Sequence, residues 1–179
     1  MNLRIEKVTK KNSDLKKIKE LFISSFPKKQ RGPFWLVLLA SKMKEINFLS
    51  FYDKDILCGF IYTTIIDNIT FVVWLAVSSN VRSKGYGSAI LNEIQSMYKD
   101  NKIILYIDKC DEEASDYEKR IKRKSFYIKN GYEETGYLVE TRKMVEEVLI
   151  KNGSFDKEEF EQFFKKQSNG MVKVKLFKI

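Results

Sequence analysis

Two glycines and an arginine lie close together in the polar stretch Arg82-Ser83-Lys84-Gly85-Tyr86-Gly87-Ser88, and their spacing suits the binding of an anion. Glycine has no Cβ atom, so two glycines two residues apart let backbone N–H groups approach a ligand closely. A helix that begins here would add its free N–H groups and its positive dipole end. The stretch therefore predicts a site for a phosphate-bearing ligand, above all a diphosphate.

A strand and a helix flank this stretch and would hold it at their junction. The run Ile69–Val77 is almost wholly apolar and rich in β-branched and aromatic residues, which is typical of a strand covered on both faces. After it, apolar residues recur three and four apart, the period of a helix with one face in the core. A Walker loop would need Lys-Ser/Thr after Gly87, and a dinucleotide fingerprint would need a third glycine where Ile90 stands, so neither motif fits.

The pattern R-x-x-G-x-G between a buried strand and an amphipathic helix resembles the acyl-CoA-binding motif of the GNAT superfamily of N-acyltransferases, which reads Q/R-x-x-G-x-G/A. Arg82, Gly85 and Gly87 fill its three fixed places. The resemblance implies that this part of the chain binds acetyl-CoA. The residues implied for the diphosphate are Arg82, Ser83, Lys84, Gly85, Tyr86, Gly87 and Ser88, and those implied for the pantetheine arm are Leu75, Ala76 and Val77.

Tyr127 stands four residues before the pair Gly131-Tyr132, and this arrangement resembles the second signature of the superfamily. In many members that tyrosine hydroxyl lies near the thioester sulfur and protonates the departing thiolate. The resemblance implies that Tyr127 is the general acid, and a free phenol, with a pKa of about 10, keeps its proton at neutral pH. Arg120 replaces an asparagine of many members. Its basic segment is interpreted either as a solvated helix face or as the source of a guanidinium, that of Arg120 or Arg123, that binds the cofactor phosphates or an anionic acceptor.

The group that takes the proton of the amine is harder to identify. Many members of the superfamily carry a glutamate on the fourth strand, whereas the run Ile69–Val77 has no ionisable side chain and Trp74 fills that space. Asp108 and Glu140 stay open as the base, as does relay of the proton by an ordered water. Asp108 is the candidate that we name, against the alternative of an ordinary carboxylate at the end of a strand.

Three aromatic residues are candidates for binding the acceptor substrate, namely Phe34, Trp35 and Trp74. The first two follow the first predicted helix, and in the superfamily the segment between the first two helices commonly forms a wall of the acceptor site. The alternative is that they are ordinary core residues, since aromatic side chains dominate protein cores. We expect a second helix over residues 34–43, with Trp35, Leu38 and Leu39 as its core positions.

The composition fits a folded protein and excludes several kinds of chemistry. The chain has 179 residues, of which 44% are hydrophobic, and we expect one domain over residues 1–179, with a core over about 1–152 and an appendage over about 153–179. The absence of histidine excludes imidazole bases and His-ligated metals, and we expect no metal. Two cysteines without a secretory signal predict free thiols in a cytoplasmic protein. No apolar run approaches the roughly 18 residues that span a membrane, so no membrane partner is expected.

Alternation and turn signals predict the remaining elements in the order that the superfamily shows. The expected fold class is α/β (α+β), a GNAT-like mixed, mostly antiparallel sheet of about seven strands flanked by about four helices. Asn12-Ser13-Asp14 and Ser154-Phe155-Asp156 offer side chains that cap helices. At the C-terminal end, Val172, Val174 and Leu176 alternate with other residues, among them lysines, as in an edge strand. This last helix and strand lie outside the superfamily core, and a homodimer contact there stays open.

The resemblance implies an N-acetyltransferase that moves an acetyl group from acetyl-CoA to a primary amine of a small molecule or peptide, by direct attack in a ternary complex. A strand N–H near Val77 is the expected donor to the thioester carbonyl. One alternative is a module of the same fold that binds an acyl-CoA or a protein partner without turnover, which the missing base supports. Another is a basic nucleic-acid-binding protein, suggested by the net charge of +9. We rank it last because the sequence has no recognised nucleic-acid-binding motif and aromatic residues are not interleaved with the basic run.

Overall fold

The computed structural model describes residues 1–141, 144–171 and 174–179. Over these residues the chain has a mixed α/β fold, with eight strands in one mostly antiparallel sheet and five α-helices. The predicted fold class is therefore confirmed. In chain order the elements are β1 (Arg4–Lys7), α1 (Leu15–Ser25), α2 (Phe34–Ala40), β2 (Ile46–Asp53), β3 (Ile56–Ile66), β4 (Ile69–Val77), α3 (Tyr86–Met97), β5 (Lys102–Asp108), α4 (Tyr117–Lys129), β6 (Glu133–Thr141), β7 (Met144–Lys151), α5 (Lys157–Gln167) and β8 (Lys175–Lys178).

Contacts between residues group the chain into two compact units. The first unit comprises Met1–Ile65 and Val72–Met97, and so contains β1, β2, most of β3 and β4, and the first three helices. The second unit comprises Ile66–Phe71 and Tyr98–Ile179, with the remaining strands and helices. The single domain expected from the chain length stays a prediction.

The core of the first unit is built from aromatic side chains. Strands β1, β2 and β3 pair antiparallel, and helix α1 contributes Ile18 and Phe22, both fully buried. The Phe22 ring lies 5.6 Å from that of Phe34, 6.2 Å from that of Phe60 and 5.0 Å from that of Trp74. Tilted and edge-on contacts at these distances stabilise a core beyond the apolar area that it buries.

The two predicted helix caps have different outcomes. Asp14 is the N-cap residue of α1 but makes no side-chain capping bond, and its carboxylate instead pairs with Lys17 Nζ at 2.7 Å. The capping prediction is wrong there, because the carboxylate forms an ion pair with a lysine in the first turn of the helix instead of accepting a backbone N–H. Asp156 does cap α5, since its Oδ1 accepts the backbone N–H of Glu159 at 3.0 Å.

Helix α2 is shorter than predicted, and the side chains that it buries are not all those predicted. It ends at Ala40, and Leu38 is buried as expected, whereas Trp35 is 62% exposed and Leu39 is 54% exposed. The prediction that these two residues belong to the core is wrong. Every residue from Phe34 to Ala40 is apolar, so the sequence offers no polar face that would show which side of the helix meets the core.

The second unit pairs its strands antiparallel in the order β5, β7, β6 and β8. Helix α5 buries Phe160, Phe163 and Phe164, and the ring of Phe164 stacks on that of Tyr106 at 6.1 Å. The predicted edge strand is found as Lys175–Lys178, paired with β6. Val172 of that prediction and the adjacent Lys173 lie outside the described residues, as do Arg142 and Lys143.

Candidate active site

The predicted anion-binding stretch lies at a strand-to-helix junction in the first unit. Strand β4 ends at Val77, a 3-10 turn covers Ser79–Val81, and α3 begins at Tyr86. Two residues between them have left-handed backbone, Ser83 with a φ of 61° and Gly85 with a φ of 85°. Backbone of this kind can bring neighbouring N–H groups toward one anion. A Cβ atom at Gly85 would meet nothing within 4 Å, so glycine suits this position for its φ rather than for space.

Hydrogen bonds hold this junction at both ends and in its middle. The backbone N–H of Ser78 donates to the carbonyl of Cys58 at 2.8 Å, and Arg82 Nε donates to the carbonyl of Val77 at 3.3 Å. The Tyr86 hydroxyl donates to Asp53 Oδ2 at 2.6 Å. This bond to Asp53, with a smaller effect of burial, raises the pKa of Tyr86 to about 12. The phenol therefore stays protonated and keeps donating at neutral pH.

The charged side chains of the junction point to solvent. Arg82, Ser83 and Lys84 are exposed, so two cationic side chains flank the left-handed residues without being buried by the fold. In the strand that precedes them, Ala76 is 4% exposed, while Leu75 and Val77 are half-buried. The structure thus brings all the residues predicted for the diphosphate and the pantetheine arm onto one strand, one turn and the first turn of one helix.

The three acceptor candidates are not equivalent. Phe34 is 9% exposed and Trp74 is half-buried, and both rings contact Phe22 in the core of the first unit. Trp35 is the exposed member of the three. Tyr62, whose ring lies 5.0 Å from that of Trp74, was not identified from the sequence, where it is one aromatic residue in an apolar strand. Burial raises the pKa of Tyr62 to about 12.

Tyr127 lies in the last turn of α4, in the second unit. Its side chain is buried, with 9% of the residue exposed, and its ring contacts those of Phe126 at 5.1 Å and Tyr132 at 5.5 Å. Helix α4 ends at Lys129, because Gly131 has a φ of 81° and the N–H of Tyr132 returns to the carbonyl of Tyr127 at 3.1 Å. Burial raises the pKa of Tyr127 to about 12, against a smaller lowering effect of Arg123. The phenol can therefore donate a proton at neutral pH.

Arg120 and Asp108 both have partners inside the second unit. Arg120 Nε donates to Asp116 Oδ1 at 2.7 Å, and its Nη1 donates to the carbonyl of Lys109 at 2.8 Å. The guanidinium thus braces the loop that leads into α4. Asp108 accepts from Arg123 Nη1 at 2.8 Å. The sequence shows that these charges exist, but their pairing depends on the path of the loop between β5 and α4.

A buried ion pair in the second unit was not predicted. Glu147 of β7 is 8% exposed, and its Oε2 pairs with Lys124 Nζ at 2.6 Å. Its Oε1 accepts the backbone N–H of Cys110 at 3.1 Å, and Lys124 also pairs with Glu134. In the sequence Lys124 is one of several basic residues in its helix, so nothing marked it as the half-buried partner of a buried carboxylate.

Two kinds of feature are absent from the described part of the chain, a group of metal ligands and a membrane-spanning helix. Among residues 1–141, 144–171 and 174–179, no three histidine, cysteine, aspartate or glutamate side chains are grouped so that they could hold a metal ion. Within the same ranges, no helix is long and apolar enough to cross a membrane.

A protein-family match identifies the superfamily to which this chain belongs. The family described as "Acetyltransferase (GNAT) domain" matches residues 44–134, a range that contains β2 through α4 and both sequence signatures. The chain belongs to the GNAT superfamily of acetyltransferases, which confirms the resemblance seen in the sequence. No curated protein gives a significant match to the chain.

Solved structures show the same fold at low sequence identity. A putative acetyltransferase of the GNAT family from Bacteroides thetaiotaomicron has a TM-score of 0.74 and 22% identity, and the match covers 95% of this chain and 98% of that one. An aminoglycoside 6'-N-acetyltransferase complexed with coenzyme A has a TM-score of 0.65 and 19% identity, covering 86% and 99%. A spermidine N-acetyltransferase chimera from Vibrio cholerae and hSSAT has a TM-score of 0.64 and 15% identity, covering 83% and 94%.

Proposed function

We propose that this protein is an N-acetyltransferase, which transfers an acetyl group from acetyl-CoA to a primary amine by direct attack in a ternary complex. The observation that carries the proposal is the junction after β4, where left-handed Ser83 and Gly85 precede the first turn of α3. Membership of an acetyltransferase family supports it. So does the likeness in fold to an aminoglycoside 6'-N-acetyltransferase complexed with coenzyme A.

The acyl donor would bind along β4 and the junction. The backbone N–H groups over residues 83–88 would hold the diphosphate, and the exposed cations Arg82 and Lys84 would add positive potential around it. The backbone of Leu75, Ala76 and Val77 would bind the pantetheine arm. We leave Arg120 out of this phosphate site, because its Nε and Nη1 already bond to Asp116 and to the carbonyl of Lys109.

Proton transfer would involve a phenol and water. Tyr127 would protonate the departing thiolate, a role that its raised pKa permits across the neutral range. Neither acidic candidate is well suited to accept the proton of the amine. Asp108 would lose its ion pair with Arg123, and Glu140 would lose its pair with Lys175 Nζ at 3.1 Å. We therefore propose that an ordered water relays the proton of the amine to solvent.

The deciding experiment combines a binding and a turnover measurement on the purified chain. Calorimetric titration with coenzyme A should show binding at a single site. Thiol release from acetyl-CoA should then be followed across a panel of amines that includes a polyamine, an aminoglycoside and peptides with free N-termini. Release that depends on one of these amines supports the enzyme. Binding without release for any amine supports the non-catalytic module, and no binding at all overturns the proposal.

Replacement of Tyr127 by Phe is expected to lower kcat by about 100-fold or more and to leave the KM for acetyl-CoA unchanged, because only the proton donor is lost. General-acid function is present while the phenol is protonated and is lost only as the pH rises through about 12. The pH profiles of the variant and the wild type should therefore run parallel between about pH 6 and pH 10.

Tyr117→Phe, a tyrosine at the start of α4, is the matched control and should keep the wild-type kcat. A wild-type activity that falls between about pH 8 and pH 10, with no such fall in the Tyr127→Phe variant, would contradict the raised pKa. Equal kcat values for the variant and the wild type would remove Tyr127 from the mechanism.

A further inference from the structure

The hydrogen bond between Tyr86 and Asp53 joins two segments that are 33 residues apart in the chain. Tyr86 is the first residue of α3 and lies inside the junction, whereas Asp53 is the last residue of β2. The other two bonds that hold the junction use the backbone of Ser78 and the side chain of Arg82, and both reach strand backbone of the same unit. Unlike these two, the Tyr86 bond joins two side chains, which belong to distant segments of the chain.

We propose that Tyr86 and Asp53 are a positioning pair, which fixes the first turn of α3 so that its backbone N–H groups are ready for the diphosphate of the acyl donor. This inference rests on the proposed function and extends it to two side chains whose roles neither sequence signature specifies. Tyr86 occupies the variable place between the two glycines of the motif, and Asp53 lies outside the motif.

The junction needs such a positioning pair because two of its residues have left-handed backbone, which has to be held in place by contacts. Ser83 has a left-handed φ of 61°, which a residue other than glycine keeps only when its surroundings hold it there. Gly85, next to Tyr86, is also left-handed, and glycine has the widest choice of alternative conformations. An anchored first turn loses less conformational freedom when a ligand binds, and so the ligand binds more tightly.

Asp53, the acceptor of this bond, is itself held in place by its hairpin. Asp53 ends β2 in a tight hairpin, where it pairs in register with Ile56 and the intervening Lys54 is left-handed with a φ of 54°. Arg4 of β1 donates from Nη2 to the carbonyl of Lys54 at 3.2 Å. The acceptor of the Tyr86 bond therefore belongs to a hairpin that a third strand braces. A bond of 2.6 Å to a carboxylate is also of the strong, charge-assisted kind.

The test is a double-mutant cycle read in coenzyme A affinity. Tyr86→Phe keeps the ring and removes the donor, and we expect it to raise the Kd for coenzyme A and the KM for acetyl-CoA about three- to tenfold, with kcat unchanged. In an Asp53→Ala background the same Tyr86→Phe change should have no effect on affinity, because its partner is already gone. Asp53→Asn, which keeps an acceptor oxygen, should restore part of the affinity lost in Asp53→Ala. Tyr117→Phe is the control.

Hydrogen exchange of the unliganded protein gives a readout that does not depend on activity. Amides over residues 83–89 should exchange faster in Tyr86→Phe than in the wild type, while those of β2 should not change. Wild-type affinity in Tyr86→Phe, with coenzyme A binding to both proteins, overturns the pair and leaves the proposed function in place. A loss that is the same in both Asp53 backgrounds also overturns the pair. Failure of the wild type to bind coenzyme A overturns both.

Discussion

A Gly59→Ala variant is expected to lose about 3 kcal/mol of unfolding free energy, although it adds only one methyl group. A Cβ atom at Gly59 would lie 2.3 Å from the carbonyl oxygen of Ala76 and 3.2 Å from Val77 Cα. Both atoms belong to the backbone of β4, which cannot turn aside as the end of a side chain can. The methyl group would also lie 3.1 Å from Ile90 Cδ1 of α3. Strands β3 and β4 would therefore have to separate.

Chemical denaturation followed by circular dichroism measures this loss, and Gly32→Ala is the matched control. A Cβ atom at Gly32 meets nothing within 4 Å, and its φ lies outside the left-handed range, so that variant should stay within about 0.5 kcal/mol of the wild type. Because Ala76 and Val77 belong to the strand proposed for the pantetheine arm, Gly59→Ala should also weaken coenzyme A binding. Equal stability of the two variants would show that β3 and β4 have room for the methyl group.

Gly59 also shows which features of the fold can be predicted from neighbouring residues in the sequence and which depend on pairing with distant residues. The bounds of β4 agree with the predicted run Ile69–Val77, because it is an apolar segment that lies between turn-forming residues. A glycine inside such a segment predicts a close approach or a bulge. It does not say that the approaching atom is the carbonyl of Ala76, since that depends on strand pairing between residues 17 positions apart.

The same division applies to the candidate site. The junction could be predicted because Arg82, Gly85 and Gly87 form a short contiguous motif and the strand and helix beside it have clear periodicity. Pairings between distant segments could not be predicted. Tyr86 bonds to Asp53 across 33 residues, and Asp108 bonds to Arg123 across 15. Charge and residue type are visible in a sequence, whereas the partner that neutralises a charge depends on the folded loop.

Loss of the Lys124 ammonium is expected to cost about 3 kcal/mol of unfolding free energy. Lys124 Nζ pairs with Glu147 Oε2 at 2.6 Å, and the Glu147 side chain is only 10% exposed. In Lys124→Met this carboxylate would stay buried beside Glu134 without a cation. We take the low end of the range for breaking a buried ion pair, because the Lys124 side chain itself is 24% exposed.

The pKa of Lys124 determines the pH range over which this stabilisation acts. Burial lowers that pKa, but hydrogen bonds from the ammonium to Glu134 and Glu147 outweigh burial, and the net pKa lies above its ordinary value of 10.5. A cation whose pKa is raised by folding contributes its full stabilisation below the unfolded-state pKa and loses it as the pH rises through the folded-state pKa. The stability difference between the wild type and Lys124→Met should therefore be constant around neutral pH and shrink above about pH 10.5.

Two companion variants separate the buried pair from general effects of removing charge. Glu134→Gln removes the partner whose side chain is 57% exposed and should cost less than about 1 kcal/mol.

Lys124→Met combined with Glu147→Gln removes both charges of the pair while a side-chain oxygen stays available for the N–H of Cys110, so it should be more stable than Lys124→Met alone. A double variant as unstable as the single one would mean that Lys124 stabilises α4 by packing its methylene chain. Because α4 also carries Tyr127, kcat should fall with stability in Lys124→Met and recover in the double variant.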